Sequence, residues 1–240
     1  MRGTMEQIKL SNRLQAIAGF VSFGAKVADI GTDHGYIPVW LAQNKIAAQI
    51  VAADINRGPL QHAKQTAEQF SVRDRIRFEL CSGLQFDGSD AYDTVIIAGM
   101  GGELIASIIE EAPWTKRDDV TLILQPNSRI QHLAAWLIQH GYCITDAKLV
   151  KDAGKYYQIL IVRAGLSEMF DKEAERLVNV HYFENHDPLL NEYLDSLLAR
   201  YCVAEKGMLS GKTMHPELKS TQTLIRDLKE MKEAVAQWQP

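Results

Sequence analysis

The residues with the clearest chemical content lie in one short segment, Val27-Ala28-Asp29-Ile30-Gly31-Thr32-Asp33-His34-Gly35-Tyr36. Gly31 and Gly35 bracket a turn where an apolar strand gives way to a helix. Glycine there permits positive φ and lets a ligand approach the backbone closely. In open parallel sheets the first strand-to-helix turn is where nucleotides bind, with helix amides facing the ligand. Asp54 closes the next strand-like run, 19 residues after Gly35, with Ile55 beside it. A carboxylate at that place accepts both hydrogen bonds of an adenosine ribose. A dinucleotide cradle needs the pattern G-x-G-x-x-G, but here Asp33 stands where the middle glycine belongs. Its charge repels a pyrophosphate and suits a cationic ligand. S-adenosylmethionine carries an ammonium and a sulfonium and has no phosphate, so it is preferred to NAD. The plain structural alternative is that Asp33 caps the following helix.

Two further loops fit the same ligand. Cys81-Ser82-Gly83 ends the third strand-like run, where an adenine edge would meet Ser82 and the backbone amides. Ala98-Gly99-Met100-Gly101-Gly102 follows the fourth, and its glycines keep backbone and ligand close. Met100 is placed against the adenine or the sulfonium; a tight turn capping the next helix is the structural alternative. The expected cofactor site is therefore Asp29, Gly31, Asp33, His34, Gly35, Asp54, Ile55, Ser82, Gly83, Ala98, Gly99, Met100 and Gly101.

Elements that could hold these loops are legible in the periodicity. Seven strand-like runs occupy Lys26–Ile30, Gln49–Asp54, Ile76–Cys81, Thr94–Ala98, Thr121–Gln125, Cys143–Val150 and Tyr156–Val162. Helical stretches fall between them at Pro38–Lys45, Pro59–Gln69, Glu103–Glu111 and Gln131–His140. Unbroken apolar runs such as Val95-Ile96-Ile97-Ala98 suit strands covered on both faces, as in a parallel sheet. The final pair, joined by Lys151-Asp152-Ala153-Gly154-Lys155, reads as an antiparallel hairpin. The class is α/β, with a mostly parallel, Rossmann-like seven-stranded sheet.

After Ala164-Gly165 the pattern changes. Leu190, Leu194, Leu197 and Tyr201 form one narrow seam, and Leu224, Leu228, Met231, Val235 and Trp238 form another. Such seams are of the coiled-coil kind and serve packing rather than cofactor binding. Gly207, Gly211 and Pro216 break the helix between them, and one more helix is expected at Lys172–Phe183. The sequence thus divides into a catalytic domain, 1–165, and a helical hairpin or coiled-coil domain, 166–240.

Composition narrows the function classes. Apolar residues are 46% and charged residues 23% of 240, which fits a globular chain. No stretch reaches the roughly 18 apolar residues of a membrane span, and Met1–Leu10 shows no apolar run of signal-peptide length. Cys81, Cys143 and Cys202 are far apart, so neither a disulfide framework nor a zinc site is expected, and no metal. A cytoplasmic location follows as the expectation. The net charge of −4 is concentrated in residues 166–240, which hold 9 basic and 13 acidic residues; residues 1–165 hold 17 of each. Any RNA contact must therefore use a local patch. Oligomeric state stays open between a monomer and a weak dimer, because a seam can close within one chain or between two.

Several segments together resemble the bacterial TrmK family of tRNA (adenine-N1)-methyltransferases. They are Leu10-Ser11-Asn12-Arg13-Leu14, Ala28 to Tyr36, Ile97-Ala98-Gly99-Met100-Gly101-Gly102 and Leu124-Gln125-Pro126-Asn127. The resemblance extends over the whole chain. It implies a class I methyltransferase fold with a coiled-coil tail, and methyl transfer from S-adenosylmethionine to N1 of the adenine at tRNA position 22. N1 lies on the Watson–Crick edge, so the base must be exposed or flipped out of its stack. Asp33 is then the candidate to stabilise the growing charge or take an N6 proton, with Asp29 second. Gln125-Pro126-Asn127 occupies the place of the Asn-Pro-Pro-Tyr motif of many amino-methyltransferases, and Asn127 offers an amide to the base. No aromatic residue follows Asn127, so stacking must come from elsewhere, with Tyr36, His34 or Tyr156 as candidates. Lys9, Arg13, Arg129, Lys148, Lys151 and Lys155 are placed to flank the mouth for RNA, Arg13 by presenting its guanidinium to a phosphate. The competing readings are a small-molecule methyltransferase and a non-catalytic adenosine-ligand module.

Overall fold

The computed structural model describes residues 6–167, 170, 172–210 and 215–238. The chain falls into two compact units, Met1–Met169 and Phe170–Pro240. In the first, the elements run α1 (Asn12–Gly19), β1 (Lys26–Ile30), α2 (Tyr36–Gln43), β2 (Gln49–Asp54), α3 (Arg57–Gln69), β3 (Arg77–Leu80), β4 (Thr94–Gly101), α4 (Gly102–Glu110), β5 (Thr121–Ser128), α5 (Ile130–Gln139), β6 (Tyr142–Asp152) and β7 (Lys155–Ala164). The seven strands form one sheet in the order β3-β2-β1-β4-β5-β7-β6. The first five are parallel; β7 pairs antiparallel with both β5 and β6. This is a Rossmann-like sheet.

Burial explains why the central strands carry continuous apolar runs. Val27, Val51, Ala52, Val95, Ile96, Ile97, Leu122, Ile123 and Leu124 are all wholly inaccessible, as strands covered on both faces must be. Chain direction across the sheet reverses between β1 and β4: from β1 the connections lead to β2 and β3 on one side, while β4 and β5 lie on the other. The loops leaving the carboxyl ends of β1 and β4 therefore diverge, and a crevice opens between them.

β4 and β5 run further than their apolar stretches predict. The ladder continues past Ala98 through an irregularity at Gly99, with Met100 opposite Pro126 and Gly101 opposite Ser128. Gly99 has φ of 80°, a conformation that a residue with a Cβ resists. The glycine segment is thus a bulged strand end, from which α4 starts at Gly102, rather than a turn.

In the second unit the elements are α6 (Glu173–Leu177), α7 (His181–Glu184), α8 (Leu190–Leu209) and α9 (Leu218–Ala236). The single helix expected at Lys172–Phe183 is two short ones. Val178 is extended, at φ −122° and ψ 98°, and Asn179 Oδ1 accepts the His181 backbone N–H, a local bond that competes with helix continuation. α8 and α9 form an antiparallel hairpin: Gln222 donates to Glu205, near the end of α8, whereas Lys232 pairs with Asp195, near its start. Leu190, Leu194, Leu197, Leu224, Leu228 and Val235 bury the seam. Gly207 continues α8 instead of ending it, and Gly211 lies outside the described residues. Among the described residues no helix is long and apolar enough to cross a membrane.

Candidate active site

The crevice at the sheet reversal is a cleft of about 440 Å³, within the range of small-ligand sites. The end of β1 contributes Asp29, Ile30 and Gly31, and the following turn adds Thr32, Asp33, His34 and Tyr36. β2 contributes Asp54, β4 contributes Ala98, Gly99 and Met100, and β5 contributes Asn127. α1 closes one side with Arg13 and Leu14. A larger depression, about 600 Å³, lies near the amino ends of β2 and β3 beside Lys45, Gln49 and Arg77.

Close packing builds the β1 turn. Gly31 has φ of 74°, and a Cβ there would collide with Met100 Cε. Gly35 has φ of 69°, and its Cβ would meet Ala63 Cβ at 2.9 Å. The first glycine lets β4 approach the loop, and the second lets α3 pack under the start of α2. Asp33 sits between them at φ 40°, with its carboxylate exposed and 3.7 Å from His34 Nε2. The His34 ring stacks on Tyr36 and on His62, with centroids 5.2 and 5.5 Å away. Asp33, His34 and His62 place ligand-type atoms within 4.8 Å of one another, all on exposed side chains.

The floor is acidic and buried. Asp29 is buried, and loss of solvation pushes its carboxyl from 3.8 up to about 7. Thr32 pulls the value down and the neighbouring Asp54 pushes it up. Thr32 Oγ1 is buried yet makes no hydrogen bond of ordinary geometry to another protein group. Asp54, also buried, accepts the Asn56 backbone N–H at 2.7 Å. Such a floor suits a cationic adenosine ligand: a buried carboxyl at Asp29 is compatible with an ammonium, and a carboxylate at Asp54 with a ribose. It is ill-suited to a pyrophosphate.

On the opposite wall runs a chain of three hydrogen bonds. Arg13 Nη1 donates to Gln125 Oε1 at 2.5 Å, Gln125 Nε2 donates to Asn127 Oδ1 at 3.0 Å, and Asn127 Nδ2 donates to the Gly99 carbonyl at 2.8 Å. Gln125 is completely buried. Arg13 also lies over the Tyr157 ring, 5.2 Å from its centroid. α1 is held in place for this contact. Asp152, on the β6–β7 hairpin, accepts the Arg13 backbone N–H, and hydrogen bonds from Ser11 and Arg13 hold its carboxyl below the usual carboxylate range. A carboxylate at a helix N-terminus is a favourable cap.

Most of the candidate site residues, from Arg13 to Asn127, line this cleft. Gly35, Ile55, Ser82, Gly83 and Gly101 stand outside its lining. Ile55 is exposed beside Asp54, and Gly83 packs against Ile108. Lys9, Arg129 and Lys155 are exposed beyond the cleft; Arg129 lies 3.9 Å from Glu103. Arg13 turns inward to Gln125. Two functional positions carry no role in the sequence reading: Thr32, and Gln125, which stands there only as part of its motif. A lone glutamine ending a buried apolar run is the available signal for the second.

Known proteins resemble this chain throughout. A family model described as a methyltransferase domain matches residues 10–160. The tRNA (adenine(22)-N(1))-methyltransferase of Bacillus subtilis (strain 168) is 37% identical over 161 residues, which cover 67% of this chain and 68% of the relative. A Streptococcus pneumoniae protein in complex with S-adenosyl-L-methionine superposes with a TM-score of 0.82 at 30% identity, covering 93% of this chain and 100% of the other. The crystal structure of the B. subtilis M1A22 tRNA methyltransferase TrmK gives 0.75 at 28% identity, over 96% and 98% of the two chains.

Proposed function

We propose, since this chain belongs to the methyltransferase-domain family and within it to the bacterial tRNA (adenine-22-N1)-methyltransferases, that it methylates N1 of the adenine at position 22 of tRNA. When bound, S-adenosylmethionine supplies an electrophilic methyl group on a sulfonium. Asp29 holds the ammonium end of that cofactor, Asp54 its ribose, and the Gly31 and Gly99 loops its backbone contacts. N1 attacks with its own lone pair, so no residue need generate the nucleophile. Asp33, exposed at the mouth of the same cleft, faces the positive charge that the base gains, or accepts the N6 proton that leaves. Asn127 contacts the base, and Tyr36 with His34 offers a stacking surface for an unstacked nucleotide. Lys9, Arg129 and Lys155 contribute phosphate contacts.

The observation that carries this reading is the pairing, in one cleft, of a buried acidic floor with a wall bearing an oriented amide. The test is incubation with methyl-labelled S-adenosylmethionine and two transcripts of one tRNA, with adenine or guanine at position 22. Label is expected only in the adenine transcript. Label in neither, with label appearing in a small-molecule fraction, would overturn the RNA reading.

A further inference from the structure

We infer that Asn127 reads the Hoogsteen edge of the target adenine, its N6 and N7, and that Gln125 and Arg13 fix the amide in the one orientation that accepts adenine and rejects guanine. This rests on the adenine-N1 reading above and adds which edge is read and what holds the reader.

Hydrogen-bond polarity carries the case. A guanidinium can only donate and a backbone carbonyl can only accept. Arg13 opens the chain and the Gly99 carbonyl closes it, with two amides between them. The direction of every bond is therefore set from both ends. Gln125 must turn Oε1 to Arg13 and Nε2 to Asn127, so Asn127 must turn Oδ1 to Gln125 and Nδ2 to Gly99. Reversing either amide would set donor against donor or acceptor against acceptor. Gln125 is wholly buried, so no water can compensate for a reversal.

Asn127 is exposed and lines the cleft. Each end of its amide is used once within the chain. One N–H on Nδ2 and one lone pair on Oδ1 remain. An amide with those two groups pairs with an adenine donor next to an acceptor. Two adenine edges offer this: N6 with N1, or N6 with N7. Donating to N1 would occupy the lone pair that must attack the methyl group. The N6–N7 edge leaves N1 free, and asparagine pairs with it in two bonds. Guanine shows O6 and N7 there, both acceptors, and O6 would face Oδ1 without a proton between them.

The test uses the full-length enzyme and two tRNAs with adenine or 7-deazaadenine at the target position. The second replaces N7 by C–H and keeps N6 and the N1 lone pair. Wild-type kcat/KM should fall by about 10- to 100-fold on the 7-deaza substrate, the effect of losing one bond of a two-bond amide–adenine pair. Gln125→Glu keeps size and the Arg13 contact but cannot donate to Asn127. It should draw the ratio of the two rates towards one, whereas a merely structural role for Gln125 would lower both rates and leave the ratio alone. Equal wild-type rates on both tRNAs, or a ratio that Gln125→Glu does not move, would overturn this inference while leaving the methyltransferase reading intact. Failure to methylate either tRNA would sink the functional reading and this inference with it.

Discussion

Replacing Asp29 by asparagine separates what that carboxylate costs the fold from what it does for the ligand. Its pKa rises from 3.8 to about 7 chiefly because burial strips its solvation. A carboxyl with a raised folded-state pKa keeps its proton to higher pH in the fold than in the unfolded chain. Its contribution therefore lowers stability as pH rises from about 4 to about 7, and the full penalty persists above. About three pKa units correspond to a ceiling of ~4 kcal/mol at pH 8 and roughly 1.5–2 kcal/mol at pH 5. The asparagine side chain keeps the shape and carries no charge. Urea denaturation should find Asp29→Asn more stable than wild type at pH 8 by about 2–4 kcal/mol, with the advantage shrinking by about 2–3 kcal/mol at pH 5. An advantage that is the same at both values would refute the burial argument. Calorimetry supplies the other half. Wild-type affinity for S-adenosylmethionine should fall about tenfold per unit below pH 7, because only the ionised carboxylate attracts the ammonium. Asp29→Asn should bind weakly with no such slope.

Asp33→Ala should lower the thermal midpoint only slightly, since the side chain is exposed and only its positive φ disfavours alanine, and lower turnover by about 10²- to 10⁴-fold; near-normal turnover removes Asp33 from the chemistry. Gly35→Ala must strain both φ and the Ala63 contact, whereas Gly24→Ala, with φ of 82° and nothing within 4 Å, strains φ alone. Chemical denaturation should show costs of about 2–4 kcal/mol for the first and ~1 kcal/mol for the second, and equal costs would discount the packing. Deleting residues 170–240 should spare cofactor affinity in calorimetry while weakening tRNA retention in filter binding; unchanged retention removes the tail from RNA binding. Lys9→Ala and Lys155→Ala should each reduce the slope of log affinity against log salt by about 1.

Much of this is legible in the sequence because burial on both faces leaves a strong mark. β1 and β2 begin and end where their apolar runs do. β4 and β5 do not, because their last residues are held by ladder pairs such as Met100 with Pro126, and hydrophobicity does not record a hydrogen bond. The glycine loops on one side of the cleft are visible, since glycine's tolerance of positive φ is a property of the residue itself. The opposite wall is less visible. Arg13 and Gln125 lie 112 positions apart, and neither residue reveals the other. A basic residue on an amphipathic segment reads as facing phosphate, and its own surroundings in the sequence do not announce that its guanidinium also donates to a buried amide. The short helices α6 and α7 read as one because an apolar pattern survives across Val178, whose extended backbone the pattern does not encode.

The chain of hydrogen bonds ends on the carbonyl of Gly99, a residue of the glycine segment that borders the cofactor end of the cleft. On the proposed assignments, the amide that meets the base and the loop that meets the methyl donor are joined by one hydrogen bond. A ligand on one side that shifts this peptide alters the purchase available on the other. Equilibrium coupling of that kind is reciprocal: whatever factor the donor contributes to RNA affinity, RNA must return to the donor. Methyl transfer changes both ligands at once, turning a cationic donor neutral and a neutral base cationic. On that assignment, the hydrogen bond from Asn127 to the Gly99 carbonyl is the place where a change in one product reaches the other.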